Sequence, residues 1–138
     1  MESISASSFN GFQPTRNGAM KAMDEANQAI SKYHLKDLGW RGFEKLDWVE
    51  NITNKYPELS NIAHTCSSQR PGYLDQVNDL FENMPQADRK EAHKFFTCKL
   101  GLEELSCRLS GPQAGLCDKK GAFIQICELT GQLSNQGG

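Results

Sequence analysis

Apolar residues recur every three or four positions through most of the chain, and the longest such run lies between Pro85 and Gly111. Steps of three and four place side chains on one face of a helix. Pro85 suits a first helical turn, and Ser110-Gly111-Pro112 is a typical stop signal. The pattern predicts a central helix of about seven turns, with Leu105 at the centre of the core. Its apolar face consists of Ala92, Phe95, Cys98, Leu102, Leu105 and Leu109.

The same periodicity predicts shorter helices on both sides of the central one. A first helix begins after a Thr15 cap, carries a stripe of alanines and ends near Tyr33. A second runs from about Asp37 to Tyr56 and ends before Pro57, because the residue before proline avoids helical geometry. Three more helices are predicted near residues 57–66, 73–83 and 118–133. We expect an all-α, single-domain bundle of five or six helices, with the long central helix near 85–110.

The two ends of the chain lack this periodicity. Residues 1–14 are Ser-rich and carry one charged side chain, which predicts a flexible N-terminal arm. Residues 134–138 are predicted to be a disordered tail, which leaves 15–133 as the helical domain. The arm resembles the Ser-rich, uncleaved export signals of bacterial type III secreted proteins. That resemblance implies export without a cleaved signal peptide.

Charge and cysteine content narrow the function classes. The net charge is −2, and the lysines and arginines form no basic run, so we expect no nucleic-acid partner. No apolar stretch reaches the length of a membrane span or a secretory signal, so we expect neither. The five cysteines are an odd number, and several fall at helical apolar spacing. We expect all five to be reduced and the protein to be cytoplasmic, with export as the alternative.

The sequence contains few residue patterns that are typical of catalytic or metal-binding sites. The histidines lack the paired short spacings of zinc sites, so we expect no metal, and no motif indicates a cofactor. The enzymatic hypothesis is a cysteine nucleophile at Cys117, which lies in a loop before a predicted helix, or at Cys66. A further hypothesis is a binder of a small apolar ligand between helices.

The predicted second helix offers a broad apolar surface. Trp40, Glu44 and Trp48 form a row four residues apart, next to a core row that includes Phe43. This surface is wider than one bundle contact requires, and tryptophan is enriched at binding hot spots. We therefore predict a protein-binding site formed by Trp40, Phe43, Glu44 and Trp48. The alternative is that the short third helix or the N-terminal arm folds over the tryptophan row and makes it part of the core.

The segment Trp40-Arg41-Gly42-Phe43-Glu44 resembles the W-x-x-x-E signature of bacterial effectors that activate Rho-type GTPases. In that family the Trp and the Glu hold structural elements together, and a separate loop engages the GTPase. The resemblance covers two residues of 138 and assigns no family. From the surface and the ends together, we expect a non-enzymatic protein-interaction module of the bacterial secretion-associated adaptor or effector type.

Overall fold

The computed structural model describes residues 15–69, 72–110 and 118–135. This part of the chain contains helices and turns, and the predicted all-α bundle with a long central helix is confirmed. One apolar core contains side chains from every helix described. The helices are α1 (Arg16–Lys32), α2 (Leu35–Glu44), α3 (Asp47–Lys55), α4 (Glu58–Thr65), α5 (Tyr73–Glu82), α6 (Gln86–Ser110) and α7 (Asp118–Asn135).

The first helix, α1, begins as its sequence predicts. The hydroxyl Oγ1 of Thr15 accepts a hydrogen bond from the backbone N–H of Gly18 at 2.9 Å, which satisfies one of the free donors of the first turn. The buried face of α1 is made of small side chains, namely Ala22, Ala26 and Ala29. Small side chains let two helices approach closely, and α1 packs on both α6 and α7.

The predicted second helix is in fact two helices. Lys45 ends α2, and Leu46 adopts an extended conformation (φ −62°, ψ 139°) that starts α3 in a new direction. Neither residue type breaks helices by itself. The turn brings Trp48 against Tyr33 and Phe43, with ring centroids 5.9 Å apart in both pairs. Aromatic packing therefore outweighs the helical tendency of this segment.

The central helix α6 is enclosed by other helices over its middle part. It contacts α1, α2, α3, α4 and α7, and every residue from Phe95 to Glu103 is buried. This buried stretch begins with Phe95 and Phe96, which pack edge to face at 5.3 Å. The prediction for Leu105 is wrong, because this residue is only partly buried, beyond the segment that the neighbouring helices enclose.

The predicted ends of the domain are partly corrected. Helix α7 extends to Asn135, so residues 134 and 135 are helical rather than part of a tail. Ser134 is buried, and its carbonyl accepts a hydrogen bond from Gln86 Nε2 at 2.6 Å. This contact ties the end of α7 to the start of α6. The predicted arm at 1–14 and residues 136–138 lie outside the described residues.

Candidate functional site

Trp40 is held in place by a kink within α2. Gly39 has φ 66° and ψ −172°, a conformation that is essentially restricted to glycine. A Cβ atom at Gly39 would meet no other atom within 4 Å, so glycine is needed for the backbone angle and not for space. The kink turns the next residue, Trp40, so that one side of its ring covers Lys99 of α6, with Nζ 4.9 Å from the ring centroid.

Lys99 is a buried lysine with aromatic neighbours. Only 5% of the residue is exposed. Its Nζ lies 5.7 Å from the ring centroid of Phe43 and 5.6 Å from that of Phe95. Its Nζ also lies 3.4 Å from Glu44 Oε2. Burial lowers the pKa of Lys99, and the nearby carboxylate of Glu44 only partly offsets this effect.

Two clefts meet at Lys99. One has a volume of about 350 Å³ and extends from α2 across α4 and α6 to α7. Its walls are formed by Trp40, Glu44, Ala63, His64, Lys99, Glu103, Lys119 and Phe123. The other has a volume of about 320 Å³ and shares Glu44, His64 and Lys99 with the first. Both clefts carry charged side chains, which does not favour the hypothesis of a purely apolar ligand.

Lys119 and Glu103, on the far side of the larger cleft, have different surroundings from Lys99. Lys119 Nζ donates hydrogen bonds to the carbonyls of Ala63, at 2.9 Å, and His64. Lys119 therefore ties α7 to the end of α4. Glu103 is buried, and burial raises the pKa of its carboxyl group.

The predicted partner-binding residues divide into two groups. Trp40 and Glu44 lie on the surface and on the cleft, and both contact Lys99. Phe43 is fully buried and packs on Phe95, so it lies in the core and not on the surface with Trp40 and Glu44. Trp48 is half-buried among aromatic rings, and only part of it is left for a partner.

Lys99 and Glu103 were missed by sequence reasoning. They lie one turn apart on the face of α6 that the apolar stripe leaves free, where charged residues are ordinarily solvated. The signal that could have found them is the length of α6, since a central helix contacted from many sides must bury polar residues too. Which of its charged residues are buried depends on the positions of the neighbouring helices.

Among the described residues, none of the free cysteines is suited to the nucleophilic role considered above. Burial raises the pKa of the Cys66 thiol to about 11 and that of Cys98 to about 12, so both resist ionisation near neutral pH. Cys127 is buried as well, and its pKa is raised for the same reason. Cys117 lies outside the described residues.

Among the described residues, the expectation that every cysteine is reduced is corrected at Cys107. Cys66, Cys98 and Cys127 are free thiols, whereas Cys107 is disulfide-bonded. Disulfides form and persist mainly in oxidising compartments. The cytoplasmic location was predicted from the expectation that all cysteines are reduced. The disulfide at Cys107 removes this support.

A second polar cluster lies between α1, α6 and α7. His93 Nε2 is 3.2 Å from Glu25 Oε1, and His93 Nδ1 is 2.8 Å from Thr130 Oγ1. The hydrogen bond with His93 lowers the pKa of Glu25. A hydroxyl, an imidazole and a carboxylate in this order resemble a nucleophilic triad. Thr130 is 0% exposed, however, so a substrate has no access to its hydroxyl, and we interpret the cluster as a link between the three helices.

The part of the chain that the structure describes contains neither a metal-binding cluster nor a membrane-spanning helix. Among these residues, no group of three or more His, Cys, Asp or Glu side chains is placed to hold a metal ion. None of the helices described combines the length and the apolar character needed to cross a lipid bilayer.

Comparison with known proteins gives no relative. No family model, no curated protein and no solved structure matches the chain.

Proposed function

We propose that the protein is a non-enzymatic interaction module that binds a protein partner through the surface formed by Trp40 and Glu44. Among the described residues, the large apolar side chains with substantial exposure are Met20, at 58%, and Trp40, at 37%. Tryptophan is enriched at binding hot spots because one rigid ring buries a large area at a small entropic cost. The observation that carries the proposal is this exposed ring, which is fixed in position beside an open cleft.

Trp40 is better suited to binding than Met20 because it is preorganised. The kink at Gly39 and the contact with Lys99 both hold its ring in place. A partner that binds to a fixed ring loses less conformational freedom than one that must order a flexible methionine. The surface therefore presents a partner with an aromatic ring whose position is already fixed.

The charge beside Trp40 indicates the chemistry of the partner. The Glu44 side chain is 53% exposed, whereas the lysine with which it pairs is buried. The accessible charge of the pair is therefore negative. An arginine of the partner can stack on the free side of Trp40 and donate to the Glu44 carboxylate, a combination that its planar guanidinium favours. We propose a partner segment that presents such an arginine.

We extend the proposal to a bacterial effector or secretion-associated adaptor. Trp40 and Glu44 both hold α2 on α6 through Lys99, and this agrees with the structural role that the W-x-x-x-E resemblance implies. The Ser-rich segment 1–14 also supports this class. The disulfide at Cys107 favours the exported alternative over a cytoplasmic location.

Site-specific photo-crosslinking tests the proposed surface. A photoreactive amino acid replaces Arg41, which is exposed next to Trp40, and in a matched control it replaces Gln76, which is exposed on α5. We expect a protein crosslinked from position 41 and not from position 76, and we expect Trp40→Ala to abolish this crosslink. The proposal is wrong if both positions capture the same proteins, or if Trp40→Ala leaves the crosslink at position 41 unchanged.

A further inference from the structure

The amine of Lys99 has few polar partners for a buried group. An ammonium carries three N–H donors. Among residues 15–69, 72–110 and 118–135, Glu44 is the side chain that accepts a hydrogen bond from Nζ, at a long 3.4 Å. The other neighbours of Nζ given above are the rings of Trp40, Phe43 and Phe95, which accept no conventional hydrogen bond. The rings attract a cation through their π faces, but among the described residues the three N–H donors of the ammonium find one side-chain hydrogen-bond acceptor.

The same amine is next to open space. Lys99 lines both clefts, and the larger one, of about 350 Å³, falls within the size range of small-molecule sites. Trp40 and Phe123 give this cleft apolar walls, and Glu103 adds a buried carboxyl group. A lysine desolvated in an apolar pocket is activated for Schiff-base formation with a carbonyl compound, and a nearby carboxyl group can supply a proton.

We propose that Lys99 is a carbonyl-reactive amine that binds small apolar or aromatic aldehydes and ketones in this cleft as a reversible imine. The inference does not depend on the proposed protein partner. In the reaction, the lone pair of neutral Nζ attacks the carbonyl carbon. A C–N bond forms as the C=O π electrons move to oxygen, which takes up a proton while nitrogen loses one. The carbinolamine then loses water, which breaks the C–O bond and leaves the C=N bond, and no oxidant or reductant is consumed.

The charged groups around the cleft suit this chemistry. Burial lowers the pKa of Lys99, and Lys119 across the cleft acts in the same direction, whereas Glu44 and Glu103 oppose it. His64 of α4 also lines the cleft. Burial raises the pKa of Glu103, so its carboxyl group keeps a proton to higher pH and is a suitable donor to the departing hydroxyl group.

Reductive trapping with benzaldehyde and cyanoborohydride at pH 7 tests the proposal, because reduction converts the imine into a stable secondary amine. Peptide mass mapping then gives the rate of modification at each lysine. We expect Lys99 to react faster than exposed Lys45 at pH 7, because its lowered pKa leaves a larger fraction of the amine neutral. Lys119 is the matched control, since it lines the same cleft but donates to two carbonyls. We expect Lys119 to react more slowly than Lys99.

Two variants test whether the reaction rate depends on the charge of Lys99 and whether Lys99 is the fast-reacting site. Glu44→Gln removes the carboxylate that stabilises the ammonium, so the modification of Lys99 should become faster. Lys99→Arg should abolish the fast-reacting site and leave the rates at the other lysines unchanged. The proposal is overturned if wild-type Lys99 reacts no faster than Lys45, if it reacts only after unfolding in urea, or if Glu44→Gln does not raise its rate.

Discussion

The substitution Gly101→Ala tests how closely α6, which carries Lys99, packs against α1 and α2. A Cβ atom at this position would lie 3.1 Å from Ile30 Cγ1, 3.2 Å from the Ala26 carbonyl oxygen and 3.2 Å from Leu35 Cδ1. Carbon atoms pack best at ~3.5–4.0 Å. The side-chain ends of Ile30 and Leu35 can shift by a few tenths of an ångström, but the backbone carbonyl of Ala26 cannot easily do so.

The expected effect of Gly101→Ala is the difference between two opposing contributions. Overpacking a buried site costs ~1–3 kcal/mol. Alanine in place of glycine inside a helix stabilises by ~1 kcal/mol. We therefore expect Gly101→Ala to lower the free energy of unfolding by up to ~2 kcal/mol.

Gly131, in α7, is the matched control. Its added Cβ would lie 3.5 Å from His93 Cε1, which is ordinary contact, so Gly131→Ala should gain most of the helix propensity. Urea unfolding followed by circular dichroism should place Gly131→Ala above Gly101→Ala by ~1–3 kcal/mol. Equal midpoints, or a higher midpoint for Gly101→Ala, would show that α6 does not approach α1 as closely as described.

Three further predictions follow from the burial and pairing of single side chains. Trp40 alone, in a Trp48→Phe variant, should show red-shifted fluorescence that acrylamide quenches readily, whereas Trp48 alone, in Trp40→Phe, should be bluer and better protected. The hydrogen bond from Tyr56 lowers the pKa of Asp88, so the stability this carboxylate contributes is present above about pH 4 and is lost as the pH falls below it; Asp88→Asn should flatten this acid-side loss in urea titrations between pH 2 and 5. Cys66 should not react with a thiol reagent at pH 7 until the protein is unfolded, and rapid reaction of the native protein at this residue would contradict its burial.

Two helix boundaries could be predicted because they depend on local chemistry. Thr15 caps α1 through its own hydroxyl, and Pro57 ends the preceding helix by a restriction on its neighbour. The break at Leu46 could not be predicted in this way. It depends on the packing of Trp48 against Tyr33 and Phe43, which belong to two other helices.

Only some residues of the candidate site could be predicted from the sequence. The four-residue spacing of Trp40 and Glu44 indicates that they share one face of a helix. The same spacing placed Phe43 in the core row, where it is fully buried, although the predicted binding site also included it. Lys99 could not be found at all, because its burial depends on α2, α3 and α4 meeting over α6. Sequence periodicity describes each helix separately and does not say which helices come together.

Quantitative binding to the crosslinked partner tests the central claim, that Trp40 forms a fixed protein-binding surface. Trp40→Ala should weaken binding by more than ~1 kcal/mol, or about fivefold in Kd, measured at a temperature where circular dichroism shows the variant to be folded. Met20→Ala is the control, because it removes the other exposed large apolar side chain and should leave Kd within about twofold. The claim is contradicted if both variants bind as tightly as the wild-type protein, or if Met20→Ala weakens binding as much as Trp40→Ala.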